Sequence, residues 1–260
     1  MSPWRAELPK SVITILAALA FASSSCGNLQ ADGDQPAPFA VGERLEFSIN
    51  WSVANIGTAY MRINGIEEVN GHSCYQVEAG AKSNKTIDLF YPVRDRFFSY
   101  IDRQELFSRK FIKEQKEGKH ERYLELLYDQ EANEVNDLVS GEIKECVPEA
   151  QDELSIFYYF RSLDLEVGEG VLLEGFVDKR GNPLKVAVHR KEWVDVPAGR
   201  FYCTVVEPFI KSGGLFKHKG SLQIWLTDDK RRIPVKVSSE LDFGKIVVLL
   251  ESYQPGGPES

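Results

Sequence analysis

The chain has 260 residues, of which 43% are apolar, 27% charged and 11% aromatic, a globular composition that excludes collagen-like, coiled-coil and wholly disordered chains. Its length allows one large all-β domain or two fused halves. The formal charge of -8 makes general nucleic-acid binding a poor fit, because such a surface repels a polyanion.

At the N-terminus Arg5 and Lys10 precede the apolar run VITILAALAFA, residues 12–22, and Ser23, Ser24 and Ser25 follow it. This is the layout of an export signal. The run is too short for a transmembrane helix, which needs about 20 apolar residues, and no other stretch of the chain reaches that length. Two processing routes fit. Ala20-Phe21-Ala22 matches a small-x-small cleavage site, whereas Ser23-Ser24-Ser25-Cys26-Gly27 resembles a bacterial lipoprotein box, with Ser23 standing where an apolar residue is usual. The second route makes 1–25 a signal peptide and Cys26 the lipidated residue, holding the protein to the periplasmic side of the envelope, at the outer membrane. Several acyl chains on one Cys anchor stably, since each buried methylene contributes about 0.8 kcal/mol and a single chain binds only marginally. Removing 1–25 takes away Arg5, Lys10 and Glu7 and leaves the mature chain more acidic still.

Residues 26–40 contain Asp32, Gly33, Asp34, Pro36 and Pro38 with little that could pack, and read as a tether. Folded sequence begins near Val41. From there apolar residues recur with period two: Leu45, Phe47, Ile49 and Trp51, then Ala59, Met61 and Ile63. The same grammar continues at 75–77, 123–128, 184–188, 222–226 and 245–250. Asn70-Gly71, Glu117-Gly118, Lys179-Arg180-Gly181-Asn182 and Asp228-Asp229-Lys230 supply the reversals.

One segment breaks the pattern. After Pro148, Ala150, Leu154, Phe157, Tyr158 and Arg161 recur at helical spacing, with acids at the start and Arg161 at the end as the helix dipole favours. The spacing predicts a helix over 149–162, dividing a β half at 41–147 from another at 166–254. A short echo between 71–78 and 199–207 hints at duplication. The tail, 255–260, is rich in Pro and Gly and is expected to fray. The resulting fold class is mainly β, a curved antiparallel sheet or pair of half-barrels in two related segments joined by one aromatic-rich helix.

With Cys26 set aside, Cys74, Cys146 and Cys203 remain. An oxidising compartment would allow one disulfide, but the spacing does not choose the pair and matches no metal-site pattern; buried thiols within strands are the alternative.

The runs 213–237 (GGLFKHKGSLQIWLTDDKRRIPVKV), 194–208 (VDVPAGRFYCTVVEP) and 152–169 (DELSIFYYFRSLDLEVGE), with 41–61 and 90–102 upstream, resemble the exported bacterial domain-of-unknown-function-3108 family. The resemblance covers about 41–254. It implies a mainly β protein of a Gram-negative cell envelope and transfers no activity. The hairpin QIWLTDDKRRIPVKV also looks like those of periplasmic lipoprotein carriers, whose curved sheets hold acyl chains; this is analogy of fold alone.

The sequence contains no G-x-S-x-G elbow, phosphate-binding glycine loop or G-x-G-x-x-G motif. His72, His120, His189 and His218 are too far apart in sequence to pair on one turn or strand. No cofactor or metal is expected, and no catalytic residue is assigned. Two features stand out. Aromatics cluster at 90–100 and 157–160, with tryptophans at 51, 193 and 225, and most of them can be explained as core. Between 211 and 236 basic side chains outnumber acidic ones in an otherwise acidic chain.

Together these features suggest an amphiphile bound under the helix, against Leu154, Phe157, Tyr158, Phe160 and Trp225, with its anionic head near Lys217, Lys219, Arg231 and Arg232. Solvated turns explain the same cations more simply. The function expected is that of a non-enzymatic envelope protein binding a lipid, glycan or envelope partner. An assembly factor without a small ligand, or an enzyme with an unrecognised site, are the alternatives, and oligomeric state is left open.

Overall fold

The computed structural model describes residues 37–177, 183–209, 222–241 and 244–257. The expected signal segment, Cys26, most of the expected tether, Lys217, Lys219, His218 and the expected turn at 179–182 lie outside them. Within the described residues the chain forms β1 (Arg44–Trp51), β2 (Ala54–Val69), β3 (His72–Ser83), α1 (Lys85–Asp88), β4 (Arg94–Asp102), β5 (Ser108–Glu117), β6 (His120–Asp129), β7 (Glu134–Asp137) and β8 (Ile143–Glu145). Then follow α2 (Ser155–Ser162), β9 (Gly170–Val177), β10 (Pro183–Val196), β11 (Gly199–Phe209), β12 (Leu222–Thr227), β13 (Pro234–Leu241) and β14 (Gly244–Gln254).

All the strands belong to one antiparallel sheet. From β1 to β8 each strand pairs with its predecessor; the chain then crosses to the far edge and meanders back from β9 to β14. There β14 pairs with β1, with Arg44 opposite Gln254 and Trp51 opposite Ile246. The two expected β halves are therefore one continuous curved sheet, open between β8 and β9. Because those edges are consecutive in sequence, the segment carrying α2 has to span the opening.

Local chemistry explains several of the turns. At the β2–β3 reversal Asn70 and Gly71 take φ of 50° and 83°, the paired positive values that a two-residue hairpin needs and that Asn-Gly accepts with least strain. The two echoing segments, 71–78 and 199–207, each begin at a hairpin turn and run into the following strand, β3 and β11.

Helix α2 is shorter than the spacing predicts. Residues 149–154 are bound into the sheet instead: Glu149 has φ 56°, and Ala150 donates to Gln130 Oε1 while accepting from Gln130 Nε2 and from the Ser108 amide. The helix starts where the buried Asp152 carboxylate accepts from the amides of Leu154 and Ser155, at 2.7 and 2.9 Å. An acid in this position satisfies amides that have no partner within the helix.

The main core gathers alternate residues from both halves: Leu45, Phe47 and Ile49, Met61 and Ile63, Phe97 and Ile101, then Leu184, Val186, Ile224, Leu226, Val248 and Leu250. Leu154, Phe157, Tyr158 and Phe160 of the α2 segment join it. At the end where β1 begins, Arg161 and Glu43, 0% and 1% exposed, form a two-pronged ion pair at 2.7 and 2.9 Å. The guanidinium also donates to the Arg231 carbonyl and lies over the Phe39 and Tyr158 rings. Rather than only complementing a helix dipole, Arg161 joins α2 to the entrance of β1 and to the β12–β13 turn.

Part of the tail departs from expectation. Gly257 donates to the Val41 carbonyl at 3.1 Å, and a side chain on Gly256 would collide with the Ala40 carbonyl. The chain's entry and its end therefore lie against each other. Cys74, Cys146 and Cys203 are all free thiols, the first and last buried.

Candidate functional site

At the end of the sheet where the chain enters, the strands and the α2 segment leave a cleft of about 360 Å³. Its walls are Asp164, Leu165 and Glu166 after α2, Lys191 of β10, Thr204 of β11, and Thr227, Asp228, Asp229, Lys230 and Arg232 at the β12–β13 reversal. Strand alternation places these groups. Val206 faces the main core, so Thr204 and Tyr202 share its face, and Lys191 and Trp193 stand directly opposite them in the ladder.

The cleft has a fixed pattern of charge. Lys191 meets Asp228 at 2.8 Å, and the Thr204 hydroxyl donates to the same carboxylate at 2.9 Å. These partners, the ammonium foremost, hold the Asp228 carboxyl below the usual range. Burial alone would raise Asp229, but the Arg231 guanidinium and the Thr227 hydroxyl outweigh it and the carboxyl is lowered. Arg232 reaches Asp164 at 2.6 Å and donates to the Arg161 carbonyl. Among the described residues the Glu166 carboxylate and the Lys230 ammonium form no ion pair.

Beside the cleft stand two exposed rings. Trp193 and Tyr202 have centroids 5.2 Å apart at 50°, and Arg200 lies over the indole. The exposures are 59% and 43%, high for side chains that normally repay burial.

The residues singled out in the sequence separate in space. Leu154, Phe157, Tyr158 and Phe160 are 0–6% exposed and pack against strands of the sheet, so they belong to the protein's own filling rather than to a cavity roof. Trp225 points to the opposite face from its neighbours Ile224 and Leu226, into a second cluster with Val194, Cys203, Val205 and Val235. Its indole N–H donates to Glu192 and Lys236 lies over its ring. Trp225 therefore shares no surface with the helix. Arg231 and Arg232 are bound to Asp229 and Asp164. Their turn follows β12; Lys217 and Lys219, the other two cations expected beside them, lie outside the described residues.

The cleft residues Asp164, Glu166, Lys191 and Thr204, and the Trp193–Tyr202 pair, were not legible as a site. One signal was present: Lys-x-Trp and Tyr-x-Thr lie on either side of a Pro-Ala-Gly turn, so a hairpin there aligns all four.

Other reactive groups are engaged elsewhere. His72 lies 3.6 Å from Asp102 and 3.7 Å from Glu131, both of which also hold Arg109. The neighbouring Cys74 thiol is pushed up to about 11 by burial and by the Asp102 charge, which disfavours a thiolate nucleophile. His189 contacts Glu207 at 2.7 Å. Among the described residues no three His, Cys, Asp or Glu side chains converge as a metal site requires, and no helix is long and apolar enough to cross a membrane.

With this geometry in view, comparison with known proteins decides the family. The model for DUF3108, proteins of unknown function, matches residues 46–251. The chain belongs to the DUF3108 family. No curated protein matches it. Among solved structures, a β-barrel-like protein of another domain of unknown function, DUF1849, from Brucella abortus superposes with a TM-score of 0.54 at 9% identity, covering 84% of this chain and 99% of that one. A candidate lipoprotein from Parabacteroides distasonis gives 0.36 at 10% identity, over 85% and 100% of the two chains. A candidate exported protein with a YmcC-like fold from Bacteroides fragilis gives 0.30 at 14%, over 84% and 98%. The Brucella likeness establishes a shared β-barrel-like fold for this DUF3108 chain and nothing about activity.

Proposed function

We propose that this DUF3108 protein is an exported, non-catalytic component of the bacterial cell envelope, tethered through Cys26, that binds an envelope molecule at the mouth of its sheet. The observation that carries this reading is the cleft itself. It is a polar recess with fixed charges and two exposed rings beside it, at the end where the chain enters the fold. Its volume is within the range of about 300–1,000 Å³ common to small-molecule sites. The sequence adds the address: an apolar signal run, a small-residue stretch and Cys26 before a Pro-containing tether. From Cys26 to Ala37 the chain can span at most about 40 Å, which would keep the entry end, and with it the cleft, close to the membrane holding the anchor.

The four helix-segment side chains lie in the core, which supports a recognition surface at the mouth rather than beneath α2. Two measurements test the reading. Wild-type protein should incorporate labelled fatty acid and fractionate with membranes, and Cys26→Ala should do neither. An unlabelled wild-type protein whose mature N-terminus maps to Ser23 would overturn the tether. Native mass spectrometry of protein recovered from its own envelope should show an adduct, lipid, saccharide or protein; recovery of the bare chain alone would overturn the binding role.

A further inference from the structure

Resting on the reading of the mouth as the recognition surface, we infer that the cleft and the Trp193–Tyr202 pair form a saccharide site, taking one or two sugar rings of an envelope glycan. Three features of the surface point to this ligand class. First, the charges are mixed: Asp164, Glu166, Asp228 and Asp229 alternate with Lys191, Lys230 and Arg232. Neither an anionic head group nor a simple cation is complementary to such a lining. A sugar is, because each hydroxyl both donates and accepts and can bridge a carboxylate to an ammonium.

Second, the ion pairs leave capacity. Lys191 and Thr204 occupy Asp228, and Arg232 occupies Asp164, which holds those groups in fixed positions. Glu166 and Lys230 line the same recess without an ion-pair partner among the described residues, one as acceptor and one as donor. Sites whose polar groups are held in place beforehand lose less on binding.

Third, the rings are placed for stacking. Trp193 follows Lys191, and Tyr202 precedes Thr204, by two residues on the same face, so the ring pair stands about 7 Å along the strand from the polar groups. The C–H face of a pyranose can lie on an aromatic ring while its hydroxyl edge reaches the cleft. Arg200 over Trp193 and the Tyr202 carbonyl bound by the Asp228 amide hold the platform in position.

The test is a glycan array of neutral and amino-sugar oligosaccharides, followed by calorimetric titration of the strongest probe against the full mature chain. Binding to at least one probe is expected, weakened tenfold or more by Trp193→Ala and by Glu166→Gln. The thermal midpoints should be unchanged, since neither side chain is buried. Moderate salt should leave the affinity within about twofold, in contrast to an anion held by charge. No binding to any probe at millimolar concentration, or binding that both substitutions leave intact, would overturn the saccharide assignment. A lipid or protein adduct in the native spectrum together with a blank array would sink this inference alone and leave the envelope-binding role standing.

Discussion

The two halves of the sheet share one interior but line it differently. On the N-terminal side the helix-facing positions of β4 and β5 include Asp95, Ser99, Ser108, Lys113, Gln115 and Glu117, all buried. On the C-terminal side the corresponding positions are mostly aliphatic: Leu184, Val186, Val188, Val206, Ile224, Leu226 and Val237, with the polar Lys191 and Thr204 entering only at the cleft. The difference follows from what each half covers. The N-terminal strands enclose residues 150–153, whose backbone and acids enter the interior before any helix can satisfy them. Ser99 and Ser108 donate to Asp152, Lys113 to Glu153, and Gln130 and Gln151 to backbone carbonyls. Buried polar groups need such partners because burial without them costs more than the bonds contribute. The C-terminal strands face mainly apolar side chains, for which close packing suffices.

This contrast can be tested at the point where the halves join. Arg161→Ala should have the largest effect, a loss of about 3–5 kcal/mol in chemical denaturation, because it strands the Glu43 carboxylate in the core. Glu43→Leu combined with Arg161→Met should recover much of that loss, since no unpaired charge remains. A double variant as unstable as the single one would show that the clasp acts through geometry rather than charge.

On the aliphatic side, Leu184→Ala should cost about 2–5 kcal/mol through lost burial and the cavity left behind. On the polar side, Asp152 gives a pH signature. Burial raises its carboxyl to about 6, although the Ser108 and Ser99 hydroxyls partly oppose the shift. The protonated form therefore favours the folded state. That contribution is complete below about pH 4 and is lost as pH rises towards about 6. Asp152→Asn removes the titration, so relative to wild type it should gain stability between pH 4 and 6.5, by at most about 3 kcal/mol. A constant difference across that window would show that Asp152 ionises freely in the fold. The smallest effect expected is for Ser108→Ala, about 1 kcal/mol, because Ser99 still serves the same carboxylate oxygen. A loss matching that of Leu184→Ala would erase the distinction between the halves.

The same contrast explains what could be read in advance. β1, the first part of β2, the first part of β10, β12 and β14 were legible because their core-facing positions are all apolar there: Leu45, Phe47 and Ile49; Ala59, Met61 and Ile63; Leu184, Val186 and Val188; Leu222, Ile224 and Leu226; Ile246, Val248 and Leu250. β5 does not: its helix-facing positions carry Lys113, Gln115 and Glu117, so the alternation that marks a half-buried strand is absent although the burial is real. The start of α2 departs from the helical spacing for a related reason, since Ala150 fits that spacing but its amide and carbonyl are taken by Gln130. In the site, the Asp228–Asp229 turn could be read from turn-forming residues. Its alignment with Glu166, Lys191 and Trp193 could not.

By itself the sequence determined the strand grammar, the hairpin at Asn70-Gly71 and the family resemblance. Each of these is written in neighbouring residues, where backbone preference and side-chain periodicity act. Tertiary structure alone decided that β14 pairs with β1, that Arg161 meets Glu43 across 118 positions, that Trp225 turns away from the helix, and that a cleft forms at the chain's entry. Those outcomes depend on which apolar faces and buried charges can be satisfied together, and only the curving of the sheet around α2 brings such distant residues within reach of one another.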